Sequence, residues 1–315
     1  MDTNRHEEAM VAVAWMYYDD GLTHEAIARK LRMSRVAVTR LLQQARREGL
    51  VQVKVTKPRP VQYDLARRLT NAFGLKHALV VRTRGTLDET LDDIGAAGAD
   101  HVLDIISPGC RLGVGWSTTV SRVGPRLRGL TQPVACVVNE LIGSWAGHSN
   151  PYSVSWQIAQ VLGAPVETLP VPVLVHSAET REALLKEPAV RRSFAHARQC
   201  DLALVGLGDV EPGCTLVKTG YMTTDQIVAI RGQGAVGDVL CRYYDIEGRH
   251  IPVPLENYFI SLTWDDILRI PHTVALAAGP TKATVILGAL RGRVCHDLIT
   301  DTETAQRVLS LAGEG

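Results

Sequence analysis

Two groups of residues in this chain have types and spacing suited to chemistry. The first is Arg35, Val36, Thr39, Arg40 and Gln43, whose offsets of one, three and four gather them on one face of a helix. Guanidinium, hydroxyl, methyl and amide groups on one face match what base edges and phosphates present, so Arg35, Thr39 and Arg40 are read as base contacts. Val36 suits a thymine methyl, and Gln43 lies beside them. Thr23, Ser34, Arg46, Arg47 and Lys54 flank this face as phosphate neighbours.

The second group sits at three glycine-rich segments: Gly113-Val114-Gly115-Trp116-Ser117-Thr118-Thr119-Val120, Val205-Gly206-Leu207-Gly208-Asp209 and Ala278-Gly279-Pro280-Thr281-Lys282. Where such a segment joins a strand to a helix, Gly115 and Gly208 let backbone N–H groups come close to a ligand. Ser117, Thr118 and Thr119 add hydroxyls, which makes a cradle for an anion or a hydroxylated molecule. Lys282 falls in the first turn of its helix, where a cation opposes the helix dipole at a cost of roughly a few tenths of a kcal/mol unless an anion lies nearby. That mild violation marks it as a functional lysine.

The elements that must position these groups are legible in the pattern. Met10, Val13, Ala14 and Tyr17 repeat at helical spacing, which predicts a helix over 4–18 that stops at Asp19-Asp20-Gly21. Thr23 caps a short second helix ending near Leu31, and Ser34 caps a third running to Glu48 and stopped by Gly49. So short a link between two helices, with a basic third helix, is the pattern of a helix-turn-helix. Residues 50–55 alternate with period two and predict a strand, as in a winged-helix head. Ten Lys or Arg against Glu25 and Glu48 between Gly21 and Pro60, in a chain of net charge +1, leave a basic head on a mildly acidic body.

Thr56-Lys57-Pro58-Arg59-Pro60 is a proline-stiffened linker, followed by a connector helix over 61–73 with an apolar ridge of Leu65, Leu69 and Phe73. The expected organisation is a DNA-binding head over 1–57, linker and connector over 58–76, and an effector domain over 77–315. Strands are predicted at 78–83, 111–116, 134–139, 166–171, 201–206, 273–278 and 296–300. Helices at 91–106, 118–127, 154–162, 180–186, 282–290 and 302–311 alternate with them. The chain is therefore α/β, with a mostly parallel sheet whose ligands bind at the carboxyl ends of its strands.

The 315 residues, 46% apolar and 21% charged, exclude a disordered or fibrous chain. No run approaches the roughly 20 apolar residues of a membrane helix, and the first residues lack a signal-peptide layout, so a cytoplasmic protein is expected. Six scattered cysteines without a C-x-x-C read as buried thiols, and no histidine spacing suggests a metal or a cofactor.

Taken in order, these motifs resemble the SorC family of bacterial sugar-responsive transcriptional regulators, and the resemblance spans nearly the whole chain. It rests on the helix-turn-helix from Gly21 to Leu42, on the three glycine-rich segments, on Gly234-Ala-Val-Gly-Asp238 with Tyr243-Tyr244-Asp245, and on Leu298-Ile-Thr-Asp301 with Thr304-Ala305. It implies an operator-binding head and an effector domain with the fold of glucosamine- and ribose-phosphate isomerases, assembled as homodimers or homotetramers. The resemblance also implies a pocket using Ser117, Thr118, Thr119, Gly143, Asn150, Asp238 and Lys282. Asp238 would accept from sugar hydroxyls, and Lys282 would meet a phosphate or hydroxyl. Two departures bear on the effector. Ala278-Gly279 replaces the usual Gly-Gly, and the first cradle and the loop after Asn139 carry Glu140 and His148 but no cation, so a free sugar or polyol and a sugar phosphate both remain open.

Two other classes compete with a regulator: a sugar-phosphate isomerase or deaminase using Asp209, Asp238 or His148 as acid and base, and a protein-interaction module built on the helical head. No paired carboxylate and imidazole stands at a strand end, and the basic head is hard to explain without DNA.

Overall fold

A computed structural model describes residues 2–51, 60–127, 133–144 and 152–314. The chain divides into two compact units, Met1–Pro58 and Arg59–Gly315.

In the first unit, α1 (Asp2–Tyr18), α2 (His24–Leu31) and α3 (Arg35–Arg47) pack around one small core. Helical spacing turns Met10, Val13 and Ala14 of α1 onto Ile27 and Ala28 of α2 and Val38, Leu41, Leu42 and Ala45 of α3. Thr23 accepts the Ala26 N–H at 3.2 Å and Ser34 accepts the Ala37 N–H at 3.1 Å, so each hydroxyl satisfies a helix-start donor. The tight turn between α2 and α3 is made by Arg32 in the left-handed region, with φ of 51°. Leu50 and Val51 are not in a strand, and the rest of the expected strand, including Lys54, lies outside the described residues, as does the linker up to Arg59.

The second unit begins with α4 (Val61–Phe73), β1 (His77–Val81), α5 (Leu87–Ile105), β2 (Arg111–Val114), β3 (Val137–Glu140), α6 (Tyr152–Leu162) and β4 (Val166–Glu167). Then come α7 (Ala178–Lys186), α8 (Pro188–Ala197), β5 (Leu202–Gly206), β6 (Gly208–Asp209), α9 (Thr215–Lys218), α10 (Thr224–Gly232), β7 (Gly237–Val239) and β8 (Arg242–Tyr244). It ends with α11 (Trp264–Leu268), β9 (His272–Leu276), α12 (Lys282–Arg291), β10 (Asp297–Asp301) and α13 (Thr302–Leu311).

Seven strands form one parallel sheet in the order β1-β10-β9-β5-β2-β3-β4. Successive residues on β5 alternate between cores: Leu202 and Leu204 join one with α5 and α6, while Ala203 and Val205 join the other with α4, α8, α12 and α13. Both faces are thus covered, as a parallel sheet requires. Leu65 and Leu69 bury the connector helix α4 against β1 and α13 of its own unit. At the amino ends of the strands, buried Asp297 accepts from the Nε2 atoms of His101 and His272, both at 2.7 Å, and from the His77 N–H, which ties α5 to β1, β9 and β10.

The structure departs from the expected pattern in several places. Residues 118–127 form two 3₁₀ turns, Val120–Arg122 and Gly124–Arg126, rather than an α-helix. Pro125 has no N–H to donate, Gly124 is a poor helix former, and Thr118, Thr119 and Val120 are β-branched. The strand expected over 166–171 ends at Glu167, before Pro170, and the one expected from 134 begins at Val137. A second, antiparallel sheet of β6, β7 and β8, not foreseen in the pattern, lies beyond the carboxyl end of β5.

Candidate functional site

The parallel sheet reverses direction between β2 and β5. From β2 the chain steps outward to β3 and β4, then returns to β5 and proceeds the other way through β9 and β10. The crevice at the carboxyl ends of two such strands is where open α/β sheets bind ligands, because the connections diverge and leave it uncovered. The first two glycine-rich segments end there, and their glycines are explained by what sits on them.

A Cβ at Gly206 would stand 2.1 Å from Ser117 Oγ, so the serine side chain lies directly over the β5 backbone. A Cβ at Gly208 would come within 1.9 Å of Asp238 Oδ1, its partner across the β6–β7 ladder. Ser117 Oγ also accepts the Val120 N–H at 2.9 Å, which starts the first 3₁₀ turn. Thr118 is exposed and Thr119 buried.

Lys282 opens α12 and extends its Nζ to Asp209 Oδ2 and to the Leu207 carbonyl oxygen, both at 2.8 Å. The Asp209 carboxylate, which also accepts from Thr281 Oγ1, offsets the dipole cost of a lysine at that position. Asp238 is buried and accepts the Cys241 N–H at 3.0 Å. Burial pushes its carboxyl up to about 6; the Cys241 N–H and Lys282 oppose that shift, while Asp209 and Glu256 add to it. Ser117, Gly206, Gly208, Asp209, Asp238 and Lys282 therefore form one polar cluster with hydroxyl, carboxylate and ammonium groups. The sequence named Asp209 only as a candidate acid or base of an enzyme; the structure pairs it with Lys282, and the lysine placed against its helix dipole was the signal for that pairing.

Gly115 and Gly143 serve packing. A Cβ at Gly115 would reach Leu240 at 2.5 Å, and one at Gly143 would reach the Pro172 carbonyl oxygen at 2.8 Å, while the Gly143 N–H is already given to the Ile260 carbonyl. Asn150 and His148 lie outside the described residues. The six cysteines are buried; burial pushes up the thiols of Cys110, to about 11, and of Cys200 and Cys295, each to about 12.

On the head, Arg35, Val36, Arg40, Gln43, Arg46 and Arg47 are exposed along α3, with Val36 73% exposed. Two residues of the face are held by neighbours. Arg46 donates from Nε to Tyr18 Oη at 2.7 Å, and Thr39, half-buried, donates to the Arg35 carbonyl oxygen at 3.1 Å and lies 3.1 Å from His24 Nδ1. Thr23 and Ser34 are exposed at the helix starts where their hydroxyls cap.

Residues 61–310 match the sugar-binding domain family Sugar-bind. The transcriptional regulator LsrR of Enterobacter sp. (strain 638) is 31% identical over 98% of this chain and 94% of its own length. The erythritol catabolism regulatory protein EryD of Brucella abortus (strain 2308) is 30% identical over 94% of each chain. The full-length sorbitol operon regulator of Klebsiella pneumoniae superposes with a TM-score of 0.74 at 25% identity, covering 96% of this chain and 98% of that one.

Proposed function

We propose, from the premise that this chain belongs to the SorC family of transcriptional regulators with a sugar-binding domain, that it binds operator DNA through α3 and that a small carbohydrate at the β2–β5 crevice modulates that binding. The cluster at that crevice carries the reading: Ser117, Asp209 and Lys282, half-buried, and Asp238, buried, gather donors and acceptors suited to hydroxyl groups. Asp238 accepts from adjacent hydroxyls, Ser117 and Lys282 donate, and the exposed Thr118 adds a further hydroxyl to the cradle. The effector is a sugar, sugar alcohol or sugar phosphate, and the regulated genes are a sugar or polyol catabolic operon. Relatives named for erythritol and sorbitol support that class.

On the head, Arg35, Thr39 and Arg40 meet bases with Val36 and Gln43 beside them, while Thr23, Ser34, Arg46, Arg47 and Lys54 neighbour phosphates. Helix-turn-helix heads read paired half-sites, so the protein acts as a homodimer or homotetramer in the cytoplasm. The ligand acts by binding one arrangement of the heads better than another, a coupling of about 1–3 kcal/mol. A gel shift of the full chain on its own upstream region, with and without a panel of sugars, polyols and their phosphates, tests the reading. A carbohydrate-dependent change in retention is expected. Retention that no carbohydrate alters, or turnover of a sugar phosphate without DNA retention, overturns it.

A further inference from the structure

The surface of α3 contains a hydroxyl whose hydrogen is already assigned. Thr39 Oγ1 lies 3.1 Å from the Arg35 carbonyl oxygen and 3.1 Å from His24 Nδ1. A carbonyl accepts only, so the contact with Arg35 uses the single hydroxyl hydrogen of Thr39. His24 Nδ1 then has to carry the proton of the second contact, because Thr39 has none left to give. Only this assignment satisfies both bonds. The imidazole is fixed in turn: His24 is the first residue of α2, half-buried, with its ring 5.0 Å from that of Tyr17 on α1. One side chain thus links all three helices of the head to the middle of its DNA-facing face.

We infer that His24 is a specificity-positioning residue, which makes Thr39 an acceptor-only reader of the operator. With its hydrogen committed to Arg35 and one lone pair to His24, Thr39 presents a base with one remaining lone pair and a methyl group. It therefore faces an exocyclic amino group, N6 of adenine or N4 of cytosine, and rejects the O6 and N7 acceptors of guanine. The inference rests on the DNA-binding reading above and names the base chemistry at one position of it.

The test selects duplexes from a random pool with the full chain, then substitutes each base pair of the selected half-site in turn. His24→Phe keeps a ring beside Tyr17 but removes the donor, so the Thr39 hydroxyl is free to turn and donate. Discrimination at one base pair should fall by about fivefold or more, at the same pair that Thr39→Val relaxes. His24→Asn, which keeps a donor near the Nδ1 position, should restore it. The double variant His24→Phe with Thr39→Val should lose no more than Thr39→Val alone. Should the Phe variant fail to fold, His24→Gln, whose amide falls near Nε2 instead, must show the same relaxation. Equal weakening of every duplex by His24→Phe, relaxation at different pairs by the two single variants, or a guanine acceptor preferred at that position overturns the inference. A wild-type chain that selects no duplex at all overturns the DNA-binding reading itself, which separates the two failures.

Discussion

The two units treat charge in opposite ways. On the head, Arg35, Arg40 and Arg47 are exposed and make no ion pair among the described residues. In the body, Lys282 is held by Asp209, and Arg242 is buried against Glu256. The difference follows from what each partner brings. A duplex supplies a dense array of phosphates, so exposed cations need only be rigidly placed and shed counterions on contact. The hydroxyls of the proposed carbohydrate are dipoles without charge, so a site for them has to hold oriented donors and acceptors out of water, and each charge taken there needs a counterpart already in place.

The exposed side should show the larger effect. Arg35→Ala combined with Arg40→Ala removes two contacts worth about 1–3 kcal/mol each, so operator affinity in a gel shift is expected to fall by about thirtyfold or more, with sugar binding by calorimetry unchanged. A small loss would mean that these free cations are not the reading surface, and the contrast between the units would fail.

Next in size is a pH effect on the buried side. The carboxyl of Asp238 rises from 3.8 to about 6 on folding, chiefly through burial. A raised acid contributes its full stability below the unfolded value, and that stability is lost as pH rises through the folded one. Asp238→Asn, which stays neutral and can still accept from Cys241, should therefore stabilise the protein above pH 6. The gain is at most about 3 kcal/mol and should vanish near pH 4, as urea melts across that range would show. The same variant should weaken carbohydrate binding at pH 7, because the carboxylate that costs stability is the acceptor proposed for the ligand hydroxyls. A flat stability profile would place Asp238 in contact with solvent.

The head was legible because its signals are local. Two capping hydroxyls, one short turn and an apolar repeat specify α1 to α3, and exposed side chains announce themselves by type. In the body the strands and most helices were legible in the same way, and the glycines pointed to the crevice. What glycine spacing left unspecified was the neighbour that requires it. That Gly206 lies under Ser117, and Gly208 under Asp238, depends on residues 89 and 30 positions away in the chain, brought together by the strand order. Lys282 and Asp209 likewise meet only through that topology. The helix expected over 118–127 failed because glycine, proline and β-branched residues outweigh its apolar spacing. The sheet of β6 to β8 was missed because strands of two and three residues are too short for a period-two signal.

The smallest expected effect sharpens the comparison most, since it uses one local geometry found in both units. Ser34 accepts the Ala37 N–H at 3.1 Å and Ser117 accepts the Val120 N–H at 2.9 Å, each three residues on. Each hydroxyl satisfies one backbone donor, Ser34 as the cap of α3 and Ser117 ahead of a 3₁₀ turn, and replacing either by Ala should cost about 1 kcal/mol in a denaturant melt. Their surroundings differ. Ser34 is exposed at the start of α3, so its loss should weaken operator binding only slightly and leave the carbohydrate response intact. Ser117 lies over Gly206 at the strand crevice, so its loss should cost the response while DNA retention without ligand stays at the wild-type level. If Ser117→Ala responded to carbohydrate as Ser34→Ala does, the serine would satisfy the Val120 N–H and nothing more, and the ligand would have to be sought away from the β2–β5 crevice.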